Sequence, residues 1–311
     1  MSRKKITVVG AGNVGASVAA YASAQELGDV VLLDILEGVT QGRALDIFEA
    51  TPIYGVETRV FGTQDYGETK DSDLIIITAG IARRPGMSRD DLLATNVKIV
   101  GEVAEKSFQA SPNAIMIVVS NPLDAMVYTA WRKTGCDPRR VMGMGGLLDS
   151  TRFRSFLAEE IGVSAQDIQV PVLGGRGDTM VIPTRLVTVG GYPVTEFIPP
   201  HRLEQIVQRT REGGAEIVKL LRTGSAYYAP AVAAIAMANA ILRDEKRLIH
   251  VAAYLDGEFG EKGIFVGVPA ILGAEGVEKV IDVELSAAED AAFKKSVAAV
   301  TDLVVEVDGL L

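Results

Sequence analysis

Three observations predict that this 311-residue chain begins as a doubly wound α/β fold and continues into a more mixed α+β lobe. First, the segments 6–9, 30–33, 74–78 and 114–120 are apolar on nearly every residue, as parallel strands buried on both faces must be. Second, helical patterns alternate with them. In 89–109 Leu93, Val97, Val100, Ala104 and Phe108 recur at helical spacing, while Asp90, Asp91, Lys98, Glu102 and Glu105 fall elsewhere on the surface. Strand–helix alternation of this kind builds a parallel sheet covered on both sides. Third, the pattern changes in the second half, where candidate strands near 168–173, 180–189 and 248–254 mix with helices near 202–221 and 287–308.

Length and composition agree with two lobes, expected at 1–145 and 146–311, because 311 residues exceed one comfortable core. With 48% hydrophobic, 23% charged and 6% aromatic residues, the chain is an ordinary globular one. A net charge of -9 argues against nucleic acid or an anionic membrane as partner, while leaving room for a local basic pocket. Cys136 is the only cysteine, so no internal disulfide forms and a reduced cytoplasm suits the chain. The basic start Met1-Ser2-Arg3-Lys4-Lys5 leads into an apolar run that breaks into glycines, which reads as a first strand rather than a leader. The longest apolar stretch, 229–242, holds Pro230 and falls short of a membrane span; it reads as a buried helix.

Directly after the first strand comes Gly10-Ala11-Gly12-Asn13-Val14-Gly15, followed by the Ala-rich helical stretch 16–25. Here the first glycine makes the tight turn, the second lets backbone approach a pyrophosphate, and the third permits close helix–sheet packing; the helix N-terminus favours the phosphate charge. Asp34, at the end of the second strand, is placed to accept ribose hydroxyls and to repel a 2′-phosphate, which favours NAD over NADP. Strand, glycine turn, helix and acid in this order define a Rossmann-type nucleotide site.

A second constellation, Ala82-Arg83-Arg84-Pro85-Gly86-Met87-Ser88-Arg89, lies beyond the carboxyl end of the strand 74–78, the edge where ligands bind in such sheets. Guanidinium groups hold carboxylates through two parallel hydrogen bonds and are not neutralised, so this loop points to an anionic substrate and serves as a candidate lid.

With these residues in hand the chain resembles the lactate/malate dehydrogenase family, and within it the lactate-dehydrogenase-like malate dehydrogenases of bacteria. The resemblance runs over essentially the whole chain. It is carried by Gly10 to Gly15 with Asp34, the loop 83–89, Asn96, Val119-Ser120-Asn121-Pro122-Leu123-Asp124, Leu148-Asp149-Ser150-Thr151-Arg152, and Gly174-Gly175-Arg176-Gly177-Asp178-Thr179-Met180. It implies an NAD-dependent oxidoreductase that interconverts (S)-malate and oxaloacetate by hydride transfer. Arg83 would then contact the distal carboxylate, Arg89 would polarise the reacting oxygen as the lid closes, and Arg152 would hold the proximal carboxylate. Asn121 would hydrogen-bond the substrate, with Asn96, Val119, Ser120 and Asn121 touching the cofactor. Three arginines and an amide match the needs of a dicarboxylate. The choice of malate over lactate rests on Arg83, because a neutral residue there would leave a carboxylate desolvated and unpaired.

One residue departs from that pattern. The resemblance implies that Asp149 orients a histidine, the acceptor of the hydroxyl proton, and this chain has Arg176 there. Histidine titrates near neutrality, whereas about one arginine in 10⁵ or fewer is deprotonated at pH 7. The only histidines, His201 and His250, sit in a helix-entry segment and an apolar strand-like run and read as structural. The expectation is a site that binds NAD(H) and a dicarboxylate but turns over slowly; the alternative is a catalytically silent homologue. Two smaller features remain. Ile182 intervenes before Pro183 where the family usually has proline directly, and Arg176-Gly177-Asp178 spells an adhesion tripeptide inside a glycine turn. The resemblance also implies a homodimer or homotetramer, with the helix-like segment 41–51 as a candidate contact, although its Ala44, Leu45, Ile47 and Phe48 would serve equally inside one subunit.

Overall fold

In the computed structural model, which describes residues 3–82 and 88–311, the apolar runs of the first half become parallel strands. They are β1 (Lys5–Val9), β2 (Asp29–Leu33), β3 (Val60–Thr63), β4 (Leu74–Ile77), β5 (Ile115–Val118) and β6 (Val141–Gly143), paired in the order β3-β2-β1-β4-β5-β6. The helices between them are α1 (Asn13–Ala24), α2 (Val39–Tyr54), α3 (Arg89–Ala110), α4 (Leu123–Thr134) and, after β6, α5 (Gly146–Ile161). Strand residues alternate between two apolar layers. Ile6, Val8, Leu74 and Ile76 join a core that includes Val18 and Ala22 of α1, while Val9, Ile75 and Ile77 join Leu93, Val97 and Val100 of α3. Both faces are therefore dry, which is why the runs are apolar without alternation. α3 starts where a capping box sets it: Ser88 Oγ accepts from the Asp91 amide at 3.0 Å, and Asp91 Oδ2 accepts from the Ser88 amide at 3.2 Å.

The second half contains β7 (Ile168–Gln169), β8 (Thr188–Val189), β9 (Tyr192–Pro193), β10 (Arg247–Asp256), β11 (Lys262–Gly273) and β12 (Gly276–Val280), with α6 (Pro200–Leu221), α7 (Tyr228–Leu242) and α8 (Ala287–Asp308). It is less separate than the change in pattern suggests. β10 pairs antiparallel with β6 through Ala252 and Gly143, so that β10, β11 and β12 extend the first sheet to nine strands. The small sheet β7-β8-β9 closes over a third core with Phe153 and Leu157 of α5 and Leu203 of α6.

Several sequence expectations are altered. The stretch 168–173 keeps only two strand residues, since Pro171 cannot donate to a ladder. The stretch 180–189 is reduced to a bridge between Leu173 and Val181, a single turn at Thr184–Leu186 and then β8. The extra Ile182 is buried in the third core. The helices near 202–221 and 287–308 and the buried helix near 229–242 all form, the second behind a Ser286–Glu289 capping box. Among the described residues, no helix is long and apolar enough to cross a membrane and no cluster of side chains forms a metal site.

Candidate active site

The parallel register brings the carboxyl ends of β1, β4 and β5 to one edge of the sheet, and a cleft of about 310 Å³ opens there. Its floor is the glycine turn. Gly10 has φ +104°, a conformation that side chains rarely adopt, and a Cβ on Gly15 would collide with the Gly10 carbonyl oxygen. A Cβ on Gly12 would meet nothing within 4 Å, so this residue opens onto the cleft as the N-cap of α1 and contributes no side-chain cap. Backbone that is bare and unobstructed at a helix start is what a pyrophosphate needs. Beside it, Asp34 Oδ2 accepts from the Ala11 amide at 2.6 Å and Oδ1 from the Leu36 amide at 3.2 Å, which aims the carboxylate and leaves lone pairs for ribose hydroxyls. These residues fit NAD. Arg43, on the helix α2, donates to the Ala11 carbonyl and, at 3.5 Å, to Asn13 Oδ1. Sequence reasoning missed it, because a single arginine on a helix carries no motif.

The far end of the cleft is built from the residues after β4 and β5. The Val119 amide donates to the Ile77 carbonyl at 2.8 Å, and Ser120 Oγ to the Ala79 carbonyl at 2.6 Å. Asn96 is buried and ties two loops together: its Oδ1 accepts from the Ile81 amide at 2.8 Å, while Nδ2 donates to the Asn121 and Ile81 carbonyls at 2.7 and 3.1 Å. Asn96 thus reaches the cleft with its hydrogen bonds already spent on backbone. Asn121, before a cis peptide bond to Pro122, is exposed at the rim. Opposite lies a wall that the sequence did not announce, Gly224 to Tyr227 with Pro230 at the start of α7. Arg89 is the exposed first residue of α3. Arg83, and with it most of the candidate lid, lies outside the described residues.

Arg176 lines the cleft. Its Nε lies 3.3 Å from Asp149 Oδ2 and its Nη2 3.4 Å from Oδ1, and Arg152 Nη1 donates to the same Oδ1 at 2.9 Å. Asp149 is 2% exposed, so one buried carboxylate serves two guanidinium groups. The turn carrying Arg176 is fixed from below: the Gly175 amide donates to Ser296 Oγ at 2.8 Å and the Arg176 amide to Asp124 Oδ2 at 3.3 Å. Arg152 opens instead onto a neighbouring groove of about 600 Å³ between α5, α6 and α7. Burial lowers its pKa, and among the described residues its Nε has no hydrogen-bond partner. Neither histidine lines the cleft. His201 is exposed on α6, and burial in β10 pushes His250 down to about 4, which keeps it neutral at pH 7.

Asp124 is the carboxylate under strain. Burial pushes it up from 3.8 to about 6, against the opposing pull of the Arg176 amide and guanidinium. The folded chain therefore holds this proton more tightly than the unfolded chain between pH ~4 and ~6, and unfolding free energy falls as pH rises through that window, by at most about 3 kcal/mol. Asp124→Asn, which keeps an acceptor for the Arg176 amide, is expected to flatten this slope and to stabilise the protein at pH 7.5 relative to the parent. Urea unfolding at pH 4.5 and 7.5 measures both, and an unchanged slope would place the titration elsewhere.

Known proteins share this architecture. Residues 4–143 match the family model for the lactate/malate dehydrogenase NAD-binding domain, and 147–307 that for its alpha/beta C-terminal domain. A malate dehydrogenase of Rhodopirellula baltica is 56% identical over all of this chain and 99% of its own length. The solved malate dehydrogenase of Salinibacter ruber superposes with a TM-score of 0.94 at 51% identity, covering 98% of each chain. The Cryptosporidium parvum lactate dehydrogenase, solved with lactic acid and nicotinamide adenine dinucleotide, gives 0.96 at 40% identity over 99% of each chain. Two contiguous family matches, full-length identity above half and a nucleotide turn whose geometry fits NAD lead to one conclusion: this chain belongs to the lactate/malate dehydrogenase family of NAD-dependent oxidoreductases.

Proposed function

We propose that the chain is a cytoplasmic malate dehydrogenase, serving the tricarboxylic acid cycle, whose turnover is held far below what its architecture allows by the arginine at 176. The observation that carries this is the pairing of Arg176 with Asp149, which puts a permanent cation where the resemblance calls for a titrating base. Bound NAD supplies the hydride acceptor. Asp34 and the glycine turn orient the cofactor; Asn121 and Arg89 hydrogen-bond the substrate, and Arg83 and Arg152 hold its two carboxylates. The division between the cofactor part and the substrate part falls near 145/146, where β6 gives way to α5. Losing general acid–base catalysis lowers rates by about 10²- to 10⁴-fold, while binding and positioning survive. Arg176 adds positive charge beside the substrate and tightens its ground state without helping the transition state. Titrating NADH consumption against oxaloacetate and pyruvate, alongside NADH binding, tests the reading. Slow consumption selective for oxaloacetate supports it; binding of both ligands without consumption identifies a catalytically silent homologue, and a preference for pyruvate removes malate as substrate.

Of the dimer and tetramer that the resemblance implies, the surface supports a homodimer. Helix α2 exposes Leu45, Phe48, Ile53 and Tyr54, and the groove between α5, α6 and α7 exposes Leu220, Tyr228 and Val232. Two apolar surfaces on one subunit, one convex and one concave, suit a two-fold pairing in which each helix α2 packs against the apolar wall of the partner's groove. Phe48→Glu is expected to shift sedimentation from dimer to monomer; an unchanged sedimentation coefficient would place the contact elsewhere.

A further inference from the structure

Helix α2 touches the glycine turn through the half-buried side chain of Arg43. Its Nη1 donates to the Ala11 carbonyl and its Nη2, at 3.5 Å, to Asn13 Oδ1. The backbone that carries it is held firmly. Thr40 and Ala44, which flank Arg43, are buried, and a Cβ on Gly62 of β3 would lie 2.5 Å from the Thr40 carbonyl oxygen, so helix and strand pack in backbone contact. Ala11 is thus gripped at both ends, its amide by Asp34 Oδ2 at 2.6 Å and its carbonyl by Arg43. The Ala11–Gly12 peptide is trans and planar, so a carbonyl drawn toward Arg43 turns the Gly12 amide away from α2. Gly12 itself lines the cleft.

The charge of Arg43 is as informative as its bonds. The first amides of α1 have no intrahelical partners and form the positive end of the helix dipole. A cation fixed beside them is unfavourable in the empty protein, and an anion bound there relieves both. Nothing else near the turn supplies that balance: the chain carries a net charge of -9, Asp34 adds a carboxylate, and Arg176, the one cation lining the cleft among the described residues, is paired with Asp149.

We propose that Arg43 is a positioning residue for the cofactor: from α2 it fixes the Ala11–Gly12 peptide and sets a positive charge beside the start of α1, where the diphosphate of NAD binds. The inference depends on NAD binding alone and not on the turnover assigned to Arg176. An arginine kept only to fasten α2 to the turn would stabilise the empty protein and would not discriminate between a nucleoside and its diphosphate.

The test is binding without turnover. Nucleotide fluorescence gives the affinity for NADH, displacement of NADH gives those for ADP-ribose and adenosine, and thermal unfolding follows the empty protein. Arg43→Ala is expected to weaken NADH and ADP-ribose by the same factor, about 10-fold or more, and to leave adenosine within about twofold. The melting temperature of the empty variant should not fall, because a cation opposing the helix dipole has been removed. Arg43→Lys keeps the charge and a donor for the Ala11 carbonyl, and should weaken NADH by no more than about threefold. NADH affinity within twofold of the parent in Arg43→Ala overturns the proposal. So does a loss for adenosine as large as that for NADH, a lowered melting temperature of the empty Arg43→Ala protein, or a loss in Arg43→Lys equal to that in Arg43→Ala.

Discussion

Arg176→His is expected to raise kcat/KM for oxaloacetate by about 10²- to 10⁴-fold, the range that general acid–base catalysis supplies, with NADH affinity unchanged. The reason is local. Asp149 already stands where it would hold an imidazole, Arg152 already shares its Oδ1 at 2.9 Å, and the turn beneath is fixed by Ser296 and Asp124 whatever side chain position 176 carries. Because the equilibrium constant fixes the ratio of the two directions, malate oxidation should gain by the same factor. The pH profile adds an independent check. A histidine beside the Asp149 carboxylate would titrate at or above its ordinary 6.5, so oxaloacetate reduction by the variant should fall as pH rises through that value, a limb the parent lacks. No gain in NADH oxidation would overturn the role proposed for Arg176.

The same substitution should cost stability. Arg176 is one of the groups that hold the Asp124 carboxyl down against burial, through its charge as well as its backbone amide, and only the amide remains when the guanidinium is removed. Asp124 should therefore be harder to ionise in Arg176→His, with a steeper fall in unfolding free energy above pH 5. An arginine at this position thus exchanges proton transfer for a more satisfied pair of buried carboxylates.

How much of this is legible in the sequence follows from how local each signal is. The glycine turn and Asp34 are readable because each acts through backbone geometry within one strand–turn–helix unit, and the long helices because their capping and periodicity lie within themselves. The strands β11 and β12 are not readable in that way, nor is the joining of both halves into one sheet, since the Gly143–Ala252 pairing links residues more than a hundred positions apart. Asn96 is a candidate cofactor contact only through the resemblance, and its hydrogen bonds to Ile81 and Asn121 emerge once two loops are brought together. Arg43 and the wall from Gly224 to Tyr227 are likewise products of tertiary approach, without any spacing to mark them. Arg176 is the reverse case: a single letter whose consequence the structure makes concrete by showing which carboxylate it takes.

Asp149→Ala is expected to be the most destabilising single substitution in the site, by about 3–5 kcal/mol, because removing one partner of a buried ion pair leaves uncompensated charge. Two guanidinium groups lose their common counter-ion here, with side chains only 13% and 19% exposed at Arg152 and Arg176, so water replaces little of what is lost. Repeating the substitution in an Arg176→His background at pH 8, where the imidazole is largely neutral once Asp149 is gone, should cost less, since one stranded cation remains in place of two. The difference between the two losses is the coupling between Arg176 and Asp149, measured by a double-mutant cycle of urea unfolding. Equal losses in both backgrounds would mean that Arg176 does not hold Asp149 in solution. The proposal that a cation in the place of the base slows turnover would then fall.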